Sequence, residues 1–394
     1  SIFYQAALDS AKRAKEAEAN YQRIKAEEAT WREELRKHRE LLSEMLEKEL
    51  VKINYKTKVL FDAIEDAAFP IVNNMEGKSS LRAIKETAES EGKTKELKEF
   101  LENFKVRTVL TAHPTQFYPG SVLGIITDLT EALKSNNHIV IKDLLAQLGK
   151  TPFFKKEKPT PFDEAVSLIW YLENVFYPTA SEMVHYLQKN IFKGNELKND
   201  VLNLGFWPGG DRDGNPFVTT EITLKVAERL RTSILKCYYT DIRKLKRKLT
   251  FTGVDVIIAE LENKLYRSVF YSQGEIFISL EEFKSQLQTI KNIILEKHQA
   301  LYVDEVDLLL NKVNLFGFHF ATLDIRQNSK IHKAVFQDIV QKEKRLFPAD
   351  YFNLSETAKI DILSKASAQL KASDFDNEIT KETISSIEAI RTIQ

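Results

Sequence analysis

The sequence predicts a mainly α-helical protein whose long helices surround an incomplete (β/α) barrel. Three observations carry that expectation. Glycine and proline are scarce, 13 and 10 among 394 residues, so the regular elements run long. Helix-period apolar spacing fills most of the chain. Three short β-like runs, at 106–112, 202–207 and 316–325, stand far apart, and each leads into polar residues suited to binding or catalysis. In a (β/α) barrel the working residues sit at the carboxyl ends of the strands. Three strands cannot close a barrel. Either further strands hide in the helical stretches, or the rest of the barrel lies outside these residues.

Each element has its own justification. Residues 9–50 are dense in Ala, Glu, Lys and Arg and contain no Pro or Gly. Tyr21, Ile24, Trp31, Leu35, Leu42 and Met45 recur at steps of three, four and seven, the spacing of a helix with one apolar stripe. Glu28 and His38 interrupt the stripe, so residues 1–55 read as a helical arm or hairpin, with His38 a solvated or edge residue. Residues 59–72 form a more apolar helix expected to enter the core, and its Asp62 and Glu65 suit a polar face or a cap better than catalysis. Asn73–Lys78 is a loop and Leu81–Phe104 is helical. The β-branched run Val106–Ala112 ends at His113-Pro114-Thr115.

Helical patterns resume at Val122–Lys134 and Ile139–Leu148. Lys155–Pro161 is a basic turn, and Phe162–Phe176 is another helix. Leu202–Trp207 is a second apolar run, ending in Pro208-Gly209-Gly210. Thr219 or Thr220 can cap a helix from about Ile222 to Lys248, with Glu221 in its first turn. Phe316–Ile325 is a third β-like run, followed by Arg326. Helices fill the remainder, with loops near Pro348 and Asp374.

Composition excludes several classes. Hydrophobic residues at 43% and charged residues at 29% describe an ordinary soluble globular chain. Lys plus Arg equals Asp plus Glu at 57 each, which gives no basic signature for nucleic acid or an anionic membrane. A single cysteine, Cys237, cannot close an intrachain disulfide and suits a reducing compartment. Ser1–Leu8 lacks a basic stretch leading into an apolar region, and no apolar run reaches membrane-spanning length. The expectation is a cytoplasmic protein.

Three constellations could carry chemistry. In Thr111–Gln116, His113 follows a buried strand. Its side-chain type titrates near neutrality and its position would be fixed by the scaffold, which suits proton transfer. A core histidine bonded to a carbonyl is an equally good reading of the spacing alone. In Gly209–Pro216 (GGDRDGNP), three glycines permit unusual backbone and close ligand approach. Arg212 there can present a bidentate fork to phosphate or carboxylate, held by the flanking Asp211 and Asp213. Asp211, Asp213 and Asn215 match the opening of a calcium loop. However, Pro216 replaces the required glycine and Ile222 the final carboxylate, which argues against calcium. A structural Asp-Arg turn remains open. In Leu323–Gln327 (LDIRQ), Asp324 and Arg326 share a face if the strand persists. Arg326 would be an anion clamp, or a surface arginine paired to Asp324. His332 lies six residues on and could be the solvated face of the next helix.

VLTAHPTQ at 109–116, GGDRDGNP at 209–216 and LDIRQ at 323–327, in that order, resemble three signature segments of the phosphoenolpyruvate carboxylase family. FDAIEDAAF at 61–69 and PTPFDEA at 159–165 are similar to it as well. The resemblance runs from about Lys56 to Gln394 and leaves residues 1–55 unmatched. It implies the amino-terminal portion of the family's barrel over 56–394, with helical insertions. It also implies an enzyme that carboxylates phosphoenolpyruvate with bicarbonate to oxaloacetate and phosphate, with magnesium or manganese as cofactor, acting as a homo-oligomer. In the family's terms His113 is the base that takes the proton from carboxyphosphate, Arg326 lies near the substrate anions, and Arg212 and Asp213 belong to a loop at the barrel mouth.

The chain also departs from the family. Pro208 stands where methionine is more common and Asn328 where glutamate is usual, and Thr151–Lys158 carries lysines in place of arginines. Nothing resembles the family's glycine-rich GRGG loop, its metal-binding carboxylates with their catalytic lysine, or its carboxyl-terminal effector site, so no metal ligand is assigned within the chain. The expectation is therefore an amino-terminal part, inactive in isolation. The alternative is a non-catalytic anion-binding or assembly protein of the same fold.

Overall fold

The computed structural model describes residues 12, 15–16, 18–30, 32–33, 36–37, 40, 56–69, 77–78, 80–111, 120–152, 160–193, 197, 201–271, 275–367 and 369–394. His38 and His113 lie outside the described residues. The described positions between 12 and 40 are helical and exposed, Tyr21 and Ile24 included. Ion pairs Arg32–Glu28 at 2.6 Å, Arg36–Glu33 at 2.7 Å and Arg36–Glu40 at 2.6 Å run along this segment. Such one-turn pairs are solvent-exposed and add little to the helix beyond its own propensity.

After this segment come α1 (56–69), α2 (Leu81–Ser90), α3 (Thr94–Asn103), β1 (Val106–Leu110), α4 (Gly120–Lys134) and α5 (His138–Lys150). Next, α6 (Pro161–Tyr171) continues through a π turn at Leu172–Phe176 into α7 (Tyr177–Tyr186) and a second π turn at Leu187–Ile191. Then follow β2 (Leu202–Phe206), α8 (Thr220–Lys246), α9 (Asp255–Phe270), α10 (Leu280–Lys297), α11 (Val303–Phe316), β3 (Thr322–Leu323), α12 (Ser329–Lys342), α13 (Glu356–Lys365) and α14 (Glu378–Ile393).

The chain divides into two compact units, one of Ser1–Asn74 with Tyr118–Lys156 and one of Met75–Phe117 with Glu157–Gln394. In the first, Val59 and Ala63 of α1 pack with Val122, Ile125 and Leu129 of α4 and with Leu144 and Leu148 of α5. Only one edge of α1 is buried, since Phe61, Ile64 and Phe69 are exposed. Glu65 is exposed, one helical turn from both Phe61 and Phe69.

In the second unit α8 is the axis. Val226, Leu230, Ile234, Tyr238 and Ile242 are buried at helical spacing and share one apolar core with α6, α9, α10 and α11. Thr219 caps α8 by accepting from the Ile222 amide at 3.4 Å. Thr160 and Asp163 form a reciprocal capping box at the start of α6. These two caps agree with the starts read from sequence to within two or three residues. Cys237 lies half-buried on α8, and burial pushes its thiol up to about 12. Iodoacetamide at pH 8 is expected to leave Cys237 largely unmodified until the chain is denatured; rapid labelling of the native protein would contradict that placement.

The strands form a parallel sheet in the order β1–β2–β3, with Leu110 opposite Phe206, Gly205 opposite Thr322 and Phe206 opposite Leu323. All three carboxyl ends therefore point the same way. β1 and β2 fall where the sequence placed them. The third run does not. Phe316 still belongs to α11, Gly317 ends that helix at φ 51°, and only Thr322 and Leu323 pair as strand. The alternating aromatics have another cause: Phe316, Phe318 and Phe320 turn inward together, with Phe316 edge-on to Phe320 at 5.4 Å. The buried Tyr238 hydroxyl donates to the Gly317 carbonyl at 2.7 Å and holds the turn. A tight aromatic turn thus mimics a strand in sequence.

Candidate anion-binding site

The site is assembled where β2 and β3 end. After Phe206 the chain folds back, the amides of Gly210 and Asp211 both donating to the Trp207 carbonyl, at 2.9 and 3.0 Å. Gly209 has φ +80°, and a Cβ there would lie 2.5 Å from Val226 Cγ2. On Gly210 a Cβ would collide with the Asp324 carbonyl. These two glycines let the turn lie against the β3 segment, and the ladder then resumes. The Arg326 amide donates to the Gly210 carbonyl and the Arg212 amide to the Arg326 carbonyl, each at 3.0 Å. The GGDR and LDIR segments are thereby zipped together, with Asp211 opposite Arg326. Gly210→Ala is expected to cost about 1–3 kcal/mol through overpacking, measured as a lowered urea midpoint at unchanged slope. A loss under about 0.5 kcal/mol would mean that the two segments are not held this close.

The two arginines have different surroundings. The Arg326 guanidinium lies 4.3 Å from the centre of the Trp207 ring, half-exposed, with Asp211 Oδ2 4.0 Å away. Stacking fixes its plane and leaves its outer edge open to an oxyanion. Arg212 is buried. Its Nη2 donates to Thr220 Oγ1 at 3.2 Å and to Thr223 Oγ1 at 3.3 Å, and its Nη1 lies 3.4 Å from Glu382 Oε1 on α14. Nε has no hydrogen-bond partner. Burial lowers the Arg212 pKa, and the Glu382 charge offsets part of that.

The flanking aspartates do not hold Arg212, contrary to the expectation from sequence. The Asp213 amide donates to Asp211 Oδ1 at 3.1 Å, and exposed Asp213 accepts from Asn328 Nδ2 at 3.3 Å. The Asp-Arg-Asp run is a self-bonded turn, and the partners of its arginine come from α8 and α14. A cavity of about 160 Å³ is lined by Arg212, Arg326, Gln327 and the exposed His332, with Thr383 and Ser386 of α14 on its far wall.

Asp324 does not pair with Arg326 but with Arg107 of β1, which donates from Nη2 to Asp324 Oδ1 at 2.7 Å. Sequence reasoning overlooked both Arg107 and Trp207. The one available signal was a lone arginine in the otherwise apolar and hydroxylic run VRTVLTA. β1 ends at Leu110, three residues before His113. Among the described residues no three His, Cys, Asp or Glu side chains come together as a metal site, and no helix is long and apolar enough to cross a membrane. The divalent ion that the family resemblance implies therefore has no fitting donor set among them.

Comparison with known proteins bears on this geometry. The chain is 26% identical over 307 residues to the phosphoenolpyruvate carboxylase of Shewanella halifaxensis, covering 67% of this chain and 35% of that protein. With the phosphoenolpyruvate carboxylase of Shewanella loihica the identity is 28% over 287 residues, 62% of this chain and 33% of the relative. The chain thus spans about a third of the length of the curated relatives it matches. The family model for phosphoenolpyruvate carboxylase matches residues 17–268 and 257–394, reaching into the helical segment that sequence reading had left unmatched. With all three strand-end motifs inside a match of that extent, the chain belongs to the phosphoenolpyruvate carboxylase family.

Proposed function

We propose that this chain is the amino-terminal part of a phosphoenolpyruvate carboxylase, a cytoplasmic homo-oligomer whose remaining barrel strands lie in the rest of the protein. The observation that carries the reading is the open guanidinium of Arg326, stacked on Trp207 at a parallel strand end and zipped to the glycine turn. Phosphoenolpyruvate and bicarbonate are both anions, and phosphoryl transfer needs cations placed in advance where negative charge collects. Arg326 would hold a substrate oxyanion there, and Arg212 with Asp213 would shape the adjoining loop.

In the reaction a bicarbonate oxygen attacks phosphorus and the bond from phosphorus to the enol oxygen breaks, leaving carboxyphosphate and the enolate of pyruvate. His113 takes the proton of carboxyphosphate, which splits into carbon dioxide and phosphate. The enolate carbon then attacks carbon dioxide to give oxaloacetate. A magnesium or manganese ion belongs to the family's chemistry, and its ligands are assigned to the rest of the protein.

Oxaloacetate production coupled to a dehydrogenase tests the reading. The whole enzyme should lose at least about a hundredfold in kcat/KM on Arg326→Gln, the effect of removing one charge-stabilising donor. The 394-residue chain alone should make no oxaloacetate even with magnesium and bicarbonate. Oxaloacetate from the isolated chain, abolished by His113→Asn, would show instead that it is a complete enzyme.

A further inference from the structure

Arg107 has no place in the mechanism above, yet its position gives it one. It sits on β1 and reaches across the central strand to Asp324, next to β3. The crossing is possible because residue 205 of β2 is glycine. A Cβ there would lie 3.0 Å from Arg107 Nε and 3.2 Å from Asp324 Oδ2. Asp324 and Arg326 lie two residues apart on a segment whose pairing with β2 continues, through Asp324 N to the Phe206 carbonyl and Arg326 N to the Gly210 carbonyl. Side chains two apart on such a segment share a face. Without Arg107, the Asp324 carboxylate would be left unpaired on the face it shares with Arg326, whose present acidic neighbour, Asp211, is 4.0 Å away.

We infer that Arg107 is a positioning residue that sequesters the Asp324 carboxylate and so keeps the Arg326 guanidinium available to the substrate oxyanion. This rests on the reading of Arg326 as an anion site. The pair itself is half-exposed, with Arg107 at 45% and Asp324 at 25% side-chain exposure, so it contributes little to stability as an ion pair. Its consequence is electrostatic and local. A carboxylate released beside Arg326 would compete with an incoming anion for the same guanidinium edge.

Trp207 supplies the readout, because Arg326 lies over its ring and an anion bound there alters its emission. The chain, with Trp31 and Trp170 replaced by Phe, is titrated with phosphoenolpyruvate. Arg107→Met is expected to weaken binding about tenfold, as a freed charge within a few ångströms would. Asp324→Asn alone should change it less than about twofold, and Arg107→Met with Asp324→Asn should restore it to within about twofold of the starting chain, since no charge is then left to compete. Arg107→Gln is a second variant with the same expected direction should the methionine not fold, judged by circular dichroism.

Unchanged binding in the Arg107 variants overturns the inference. So does a double variant as weak as the single one, which would mean that Arg107 touches the anion itself or only braces the sheet. No saturable signal from the unaltered chain, or one that survives Arg326→Gln, sinks the reading of Arg326 instead.

Discussion

Asp241→Ala is expected to destabilise the chain by about 1–3 kcal/mol, the cost of leaving a part-buried cation and a buried hydroxyl without their shared acceptor. Asp241 sits towards the carboxyl end of α8, and its Oδ2 accepts from Lys312 Nζ of α11 at 2.7 Å and from the Tyr177 hydroxyl of α7 at 2.9 Å. The Asp241 and Lys312 side chains are only 16% and 15% exposed. The Lys312 ammonium also lies 4.3 Å from the centre of the Tyr177 ring. Burial first, and then the Asp241 charge, hold the Tyr177 phenol well above its ordinary pKa, so it remains a neutral donor.

One carboxylate thus joins three helices, and alanine would strand both a cation and a hydroxyl. Asp241→Asn keeps an acceptor for Tyr177 and should cost less. Asp241→Leu with Lys312→Met removes both charges and should recover most of the loss, since well-packed apolar pairs often replace buried ion pairs at no net cost. Urea unfolding of the three variants measures this. A loss below about 1 kcal/mol for Asp241→Ala would mean that water already solvates the pair.

The legible parts of the fold were those where a single period or a single cap decides local structure. Val106–Leu110 and Leu202–Phe206 are apolar runs of strand length, and Thr219 is a side chain that caps a helix by itself. The third strand was overestimated because alternating phenylalanines satisfy two arrangements. The turn is held by contacts distant in sequence, among them the Tyr238 hydroxyl bonded to the Gly317 carbonyl.

The site follows the same division. Arg326 and the glycines could be nominated from their motifs, since a guanidinium and an unsubstituted backbone announce their chemistry. The partners could not. Glu382 reaches Arg212 from 170 residues away, and Arg107 reaches Asp324 from 217 residues away. Local pattern carries no information on which acidic group will answer which arginine. The expectation that Asp211 and Asp213 would hold Arg212 failed for this reason: adjacent charges on one chain are close in sequence, but the turn directs Asp211 to a backbone amide and Asp213 to the Asn328 side chain.

The last expected result concerns His113 in the whole enzyme, where His113→Asn should separate two outputs that normally travel together. Asparagine keeps a comparable size and hydrogen-bonding capacity but cannot accept a proton. Attack of bicarbonate on the phosphoryl group does not require the base, so phosphoenolpyruvate should still be consumed and phosphate released. Carboxyphosphate would then lack the base that promotes its breakdown to carbon dioxide, and water would return it to bicarbonate and phosphate. The enolate, with no carbon dioxide to attack, would take a proton and leave as pyruvate. Oxaloacetate formation should therefore fall by about 10²–10⁴, the usual contribution of a positioned base, with pyruvate appearing in its place. Phosphate, pyruvate and oxaloacetate measured in the same reaction give the partition directly. Equal loss of phosphate and oxaloacetate, with no pyruvate, would assign His113 to substrate positioning and remove it as the base.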